Sequence, residues 1–193
     1  MLQRHDLYFL LYPPAHLAAM LAQLMHRMGL LPWADYGKPM AEERLHITVQ
    51  KLGQFDGGVP GGELDRLVAV GNALAAEPFD VSFNLLQAFH RGGGKGMAQL
   101  AGSAAGLRGV RNFEHCLAAT MRRMGCADSQ IRRCFNPHIT LNYGYDRTIR
   151  SAIAPVAWRV TQFALVDSLY GKGQHDVVAR WPLVSRQQVL GDW

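Results

Sequence analysis

The sequence contains the tetrad His-Ile-Thr-apolar twice, at residues 46–49 and at residues 138–141. The two histidines are 92 positions apart (138 minus 46). An imidazole gains and loses a proton near neutral pH, and a threonine hydroxyl donates hydrogen bonds to anions. A single copy of this pattern is common in strands. Its repetition predicts that the two copies work together.

Each tetrad has the alternation of a strand, in which every second side chain points to the same face. The His and Thr of each copy are therefore expected to share a face with the amide that follows, Gln50 or Asn142. The apolar residues between them are expected to face a core. By the same alternation, Lys51 is expected on the face opposite Gln50.

Two imidazoles facing one cleft suit an in-line displacement at phosphorus. With ordinary pKa values near ~6.5, His46 and His138 can hold one proton between them at neutral pH. The neutral imidazole can accept a proton from water, and the protonated one can donate to the leaving oxygen. Thr48 and Thr140 can donate to the non-bridging oxygens. Strand histidines with purely structural hydrogen bonds are the alternative, which the repetition makes the weaker interpretation.

This scheme needs no metal, and a metal site is a weaker interpretation of the same histidines. The sequence has no His-x-His, His-x-x-x-His or His-Glu-x-x-His spacing, and carboxylates are sparse near the tetrads. The other six histidines, including His175, stand apart from the tetrads and receive no functional assignment.

Hydrophobic periodicity predicts strands and helices in alternation along the chain. Strands are expected near 7–12, 45–51, 79–83, 97–101, 138–143, 156–168 and 175–181. Helices are expected near 17–28, 64–74 and 107–121, and a turn region near 55–62. The weak internal repeat centred on the His strands predicts two similar α+β lobes. Each lobe would supply one His strand to a shared central cleft, with the helices packed outside.

Composition limits the class of protein. The 193 residues, 49% apolar, are enough to bury a core in one domain or two small lobes. A net charge of +5 fits a basic soluble protein, and also a polyanionic partner such as RNA. Three cysteines without CxxC spacing argue against a disulfide scaffold or a zinc cluster. We expect a cytoplasmic protein, because the sequence has no apolar run long enough for a membrane span and no export signal.

Several residues near the tetrads are candidates for substrate contacts. The glycine-rich stretch 91–96 predicts a hairpin tip, from which Arg91 can reach phosphate. Phe55 and Tyr143 flank the expected cleft and can stack on bases, although core packing is the stronger interpretation of Phe55. Gln50 and Asn142 complete this set of candidates.

These features resemble the 2H phosphoesterase superfamily, and within it the 2′-5′ RNA ligase-like RNA 2′,3′-cyclic phosphodiesterases. Residues 45–49 and 136–141 match the two signature motifs of that family. The resemblance covers nearly the whole chain. The other segments that carry it are 7–14, 79–83, 163–168 and 177–183.

The resemblance implies one domain over residues 1–193, made of two intertwined antiparallel-sheet lobes with pseudo-two-fold symmetry. It also implies opening of a 2′,3′-cyclic phosphate to a 2′-phosphomonoester without metal or cofactor, by a monomeric enzyme. Carried over, His138 is the base for water and His46 is the acid for O3′. Thr48 and Thr140 bind the phosphate.

One departure from the family concerns the substrate. Many relatives place an Arg shortly after a motif, where this chain has Gln50 and Asn142. Both an RNA end and a small cyclic nucleotide therefore stay open as substrates. Reversible 2′-5′ RNA ligation by the same histidines, or RNA binding without catalysis, are the alternative functions.

Overall fold

The computed structural model describes residues 2–27, 38–89, 96–131, 135–145 and 147–184. Its nine strands are β1 Arg4–Leu11, β2 Lys38–Pro39, β3 Ile47–Asp56, β4 Phe79–Phe89, β5 Met97–Ala101, β6 Ile139–Tyr143, β7 Ile149–Val160, β8 Gln162–Leu169 and β9 Gln174–Pro182. Its three α-helices are α1 Ala15–Arg27, α2 Gly61–Ala73 and α3 Arg108–Arg123. Short 3₁₀ turns span Glu42–Arg44 and Asp128–Gln130. None of the described helices is long and apolar enough to cross a membrane.

The strands form one antiparallel sheet in the order β7-β4-β5-β6-β3-β1-β8-β9, and β2 pairs with β6. The two strands that follow the His residues, β3 and β6, lie at the centre. They are joined by a single residue pair, Ile47 with Ile139. The sheet therefore consists of two four-stranded halves, which meet beside the two tetrads.

Alternation along β1 assigns the two faces of the sheet. Leu7, Phe9 and Leu11 belong to the main core, whereas Leu10 belongs to a small separate cluster with Ala164 and Val166. All three helices contribute side chains to the main core, including Leu21, Leu67 and Leu117. One face of the sheet is thus the helix face. The other face carries few apolar groups, and we call it the cleft face.

The predicted elements occur in the predicted order, and the α+β fold class is confirmed. The largest correction concerns 156–168, which sequence periodicity joined into one strand. The chain leaves β7 at Val160, and β8 begins at Gln162. These two strands belong to different halves of the sheet, so the sheet must curl until they meet at Thr161. A second, smaller correction is that β3 extends to Asp56, two residues into the predicted turn region.

Each His strand contains a β-bulge at the equivalent position. Leu10 of β1 pairs with Thr48, but the next residue back, Phe9, pairs with Gln50, so Val49 is an extra residue. In β6, Thr140 pairs with Gln99 and Asn142 pairs with Ala98, so Leu141 is extra. Each extra residue lies three positions after the His. A bulge shifts the alternation by one residue, so the side chains that follow it change face. In β3 a second bulge at Leu52 restores the original alternation from Gly53 onward.

Candidate active site

The two tetrad histidines occupy matching positions at the centre of the sheet. His46 and His138 directly precede Ile47 and Ile139, the residue pair that joins β3 to β6. Nδ1 of His46 lies 2.5 Å from the carbonyl oxygen of Arg44, and Nδ1 of His138 lies 2.8 Å from that of Asn136. Each ring is thus fixed by the carbonyl two residues before it.

A carbonyl only accepts hydrogen bonds, so each Nδ1 carries a proton and Nε2 is the nitrogen left for chemistry. Nε2 of His46 lies 3.1 Å from Oγ1 of Thr48, which donates to it when the imidazole is neutral. Thr140 is mostly buried, and its hydroxyl donates weakly to the sulfur of Met97 at 3.5 Å. Both threonines lie on the cleft face, as their strand partners show.

The surroundings of His46 keep it neutral. Its pKa is lowered to about 4, mainly by burial and to a smaller extent by the nearby charges of Arg44 and His138. The hydrogen bond to the carbonyl of Arg44 opposes this shift. The free protein therefore holds a neutral imidazole at position 46 with Nε2 as an acceptor.

The bulges remove two predicted substrate contacts from the cleft face. Gln50 is fully buried on the helix face, where its Nε2 donates to Oε1 of Glu114 on α3 at 2.7 Å. Asn142 is also fully buried and pairs with Ala98, a core residue. Phe55 packs against the main core, as its alternative interpretation held. The expectation that Gln50 and Asn142 contact substrate is corrected, since strand alternation cannot anticipate a bulge. For Phe55 the structure agrees with the core packing that the sequence favoured.

The same bulges bring two other residues onto the cleft face. Lys51 pairs with Tyr8 of the small cleft-face cluster and is exposed, contrary to the expectation from alternation. Tyr143 pairs with Met97 and is 52% exposed, in line with its predicted place at the cleft. Lys51 and Tyr143 each lie five positions after a tetrad histidine, so the two bulges place them at equivalent sites. Arg91 lies outside the described residues.

Two residues of the site were missed by sequence reasoning. His175 of β9 packs against His46 with 5.2 Å between ring centroids, and its Nδ1 lies 3.0 Å from the hydroxyl of Tyr12. Arg44 ends the 3₁₀ turn just before His46, and its charge lowers the pKa of both His46 and His175. The contact of His175 joins segments 129 positions apart (175 minus 46), so no local pattern could reveal it. The signal for Arg44 was its position two residues before the motif.

A cavity of about 760 Å³ lies on the cleft face, and Arg44 is the residue beside His46 that lines it. Its basic lining residues are Arg4, Arg44, Lys51 and Lys172, and its aromatic ones are Tyr8, Tyr143 and Tyr170. Arg4 is paired with Asp6 at 3.2 Å. The hairpin between β8 and β9 supplies Tyr170 and Lys172. Gly171 and Gly173 give this hairpin the positive φ angles of its turn.

The residues near the site do not form a metal-binding cluster. Within the described parts of the chain, no three His, Cys, Asp or Glu side chains are grouped so that they can hold a metal ion.

The antiparallel sheet with a His-x-Thr motif on each of its two central strands is the fold of the 2H phosphoesterases, and comparison with solved structures confirms it. Escherichia coli LigT in complex with 3′-AMP matches with a TM-score of 0.72 and 23% identity, over 94% of this chain and 99% of that one. A protein described as a phosphoesterase matches with a TM-score of 0.70 and 25% identity, over 96% and 100%.

TT0787 of Thermus thermophilus matches with a TM-score of 0.72 and 23% identity, over 92% of this chain and 97% of that one. No family model and no curated protein matches the sequence. The chain therefore has the 2H phosphoesterase fold.

Proposed function

We propose that the protein is a phosphodiesterase that opens 2′,3′-cyclic phosphates to 2′-phosphomonoesters by acid–base catalysis with His46 and His138. The observation that carries this proposal is the matched pair of imidazoles at the centre of the sheet. In each, Nδ1 is fixed by a backbone carbonyl and a threonine follows on the same face.

The surroundings of His46 favour it as the base, which reverses the roles expected from the sequence. Its pKa of about 4 leaves Nε2 unprotonated at neutral pH. It accepts a proton from water as the water oxygen bonds to phosphorus. The bond from phosphorus to O3′ breaks, and His138 donates its proton to O3′. Thr48 and Thr140 donate to the non-bridging oxygens, where charge develops.

The cleft face supports a nucleotide or RNA end as substrate. Spread-out cations attract phosphates, and exposed aromatic rings stack on bases of single strands. Lys51 and Lys172 supply the charge, and Tyr143 and Tyr170 supply the exposed rings. Crystals of E. coli LigT hold 3′-AMP, phosphate, ATP or NADP+, and this range of ligands fits a site that recognises nucleotide phosphates.

The test is phosphorus NMR of the purified protein with a 2′,3′-cyclic mononucleotide and with a short RNA ending in a cyclic phosphate, both in excess chelator. We expect a 2′-monophosphate from at least one of them, at a rate that the chelator does not change. A 3′-monophosphate would show that the leaving oxygen is O2′ and not O3′. Including a 5′-hydroxyl RNA in the same tube reveals any 2′-5′ joined product.

His46→Ala and His138→Ala should each lower the rate by several orders of magnitude, because one imidazole cannot serve both the water and the leaving oxygen. His115→Ala is the matched control, since that side chain is 80% exposed on α3. A tetrad variant that keeps a rate near that of the wild type would overturn the assignment.

A further inference from the structure

Arg44 is a cation without a carboxylate partner among the described residues. It forms no ion pair with any carboxylate in the described part of the chain, and its Nε is buried without a hydrogen-bond partner there. A buried donor without an acceptor costs free energy, and more so when it carries charge. The backbone of Arg44 is fixed at the site, because its carbonyl holds His46. An anion bound beside His46 would satisfy the guanidinium.

His175 presents a second donor at the same place. Burial raises the pKa of Tyr12 to about 12, so its phenol keeps the proton and can donate to Nδ1 of His175. Burial also lowers the pKa of His175 to about 3, with smaller effects from His46 and Arg44, so the ring is neutral. A neutral imidazole that accepts at Nδ1 carries its proton at Nε2. Nε2 lies on the side of the ring away from Tyr12 and has no hydrogen bond among the described residues.

We propose that Arg44 and His175 form an anion subsite beside His46 that binds the non-bridging oxygens of the substrate phosphate. This inference rests on the proposed function for the identity of the anion. Arg44 donates as a charged group, and His175 donates Nε2–H as a neutral one.

The cavity that both residues line supports this assignment. It measures about 790 Å³ and also contains Tyr12 and Arg180, whose guanidinium lies 5.4 Å from the centroid of the Tyr12 ring. Exposed carboxylates of the 3₁₀ turn, Glu42 and Glu43, line it as well. The cavity is therefore mixed in charge. Attraction of an anion to it depends on the two placed donors rather than on an overall positive field.

The first experiment reads the His175 ring directly. In protein labelled with ¹⁵N in its histidine rings, the His175 signals are assigned by their loss in His175→Gln. We expect a neutral ring with its proton on Nε2 at pH 7, and a mixture of tautomers in Tyr12→Phe. A charged His175 ring, or a proton on Nδ1 in the wild type, would overturn the proposal. This reading needs no substrate.

The second experiment measures binding of inorganic phosphate and of adenosine 2′-monophosphate by calorimetry. Arg44→Gln should weaken both about tenfold or more, and His175→Ala should weaken them several-fold. His175→Gln keeps an amide donor and should restore part of the loss. Arg159→Gln on the edge strand β7 and His115→Gln on α3 are matched controls, because they remove the same side-chain types and neither residue lines the two cavities.

Unchanged affinities in Arg44→Gln and His175→Ala would overturn the subsite even if the wild type opens cyclic phosphates. Conversely, phosphate binding that depends on both residues, in a protein that opens no cyclic phosphate, would retain the subsite and reject the proposed function. If His175→Ala fails to fold, His175→Gln and the ring measurement on the wild type still decide the question.

Discussion

His46 and His138 are each followed by Ile-Thr in the sequence, but they differ in their surroundings in the fold. His46 lies against His175 and Tyr12, with ring centroids 5.2 and 6.3 Å away, and it accepts from Thr48. A burial that disfavours the imidazolium suits a base, which must enter the reaction unprotonated. Two chemically equal residues can therefore take opposite roles.

The first consequence is an unusual pH profile. The acid limb of kcat/KM reports the base in the free enzyme, so it should lie near pH 4 rather than near 6.5. A bound anionic phosphate favours the imidazolium and raises the pKa of His46. The acid limb of kcat should therefore lie at a higher pH than that of kcat/KM. Coinciding limbs near pH 6.5 would contradict this assignment.

The Arg44→Gln variant tests whether the charge of Arg44 helps to lower the pKa of His46. Its positive charge disfavours protonation of His46, so Arg44→Gln should raise the pKa of His46 and move the acid limb of kcat/KM to higher pH. The quantity to compare is the pH of the acid limb, because the maximum of kcat/KM also falls when substrate binds less tightly. Arg159→Gln should leave the position unchanged.

At this scale the sequence identified the residues of the repeated motif and missed those brought in from elsewhere. A tetrad that occurs twice is a local signal that one sequence can show. The rings that pack against His46 are His175 of β9 and Tyr12, which directly follows β1, and only the folded sheet brings them together.

At the scale of the element, the bulge after each tetrad decides which side chains the cleft receives. Without Val49 as an extra residue, strict alternation would direct Gln50 to the cleft and Lys51 to the core. With this extra residue, the Gln50 amide lies on the helix face against Glu114, and the Lys51 ammonium lies on the cleft face. The chain thus gains a cation in the cleft that its sequence alone assigned to the opposite face.

Gln50 and Lys51 should therefore give opposite phenotypes although they are adjacent. Gln50→Leu leaves the buried Glu114 carboxylate without this donor and should lower the free energy of unfolding by about 1–3 kcal/mol. Lys51→Ala should change it by less than about 0.5 kcal/mol. Urea unfolding measures both, and equal losses would contradict the bulge.

Lys51→Ala should instead weaken binding of single-stranded RNA. Losing one phosphate contact should reduce the slope of log affinity against log salt by about 0.7. Fluorescence anisotropy at several salt concentrations measures this slope, with Arg159→Gln as the control for loss of charge alone. If Lys51→Ala leaves the slope of log affinity against log salt unchanged, Lys51 does not contact an RNA phosphate.

At the scale of the whole molecule, the order of strands and helices could be predicted, because each element carries its own hydrophobic period. The boundary between β7 and β8 could not, since both strands are apolar and a single residue, Thr161, separates them. What divides them is their pairing, with β4 on one side and with β1 and β9 on the other. A short stretch of sequence does not reveal which strand its residues pair with.

Burial of neutral histidines also affects the stability of the whole fold. The pKa values of His46 and His175 are lowered to about 4 and about 3, whereas in the unfolded chain both are near ~6.5. Between these values the unfolded chain binds more protons than the folded one. The stability that both residues contribute above pH 6.5 is therefore lost as the pH falls toward 4 and 3.

His175→Gln removes one of these groups, so the drop in Tm between pH 7 and pH 4 should be smaller in this variant than in the wild type. Scanning calorimetry at both pH values measures the difference. His115→Gln, which removes an exposed imidazole, should keep the wild-type drop. A larger drop in His175→Gln would contradict the sign of the shift.

The single residue pair that joins the two halves of the sheet is the point about which any relative rotation of the halves would turn. His46 and His138 stand one residue from it, whereas Lys51 and Tyr143 stand four residues away, roughly 13 Å at about 3.3 Å per residue. A rotation of about 10° around the pair would move the distant positions by about 2 Å and the histidines by only about 0.6 Å. Such a rotation would change the width of the cleft and leave the spacing of the two imidazoles almost unaltered.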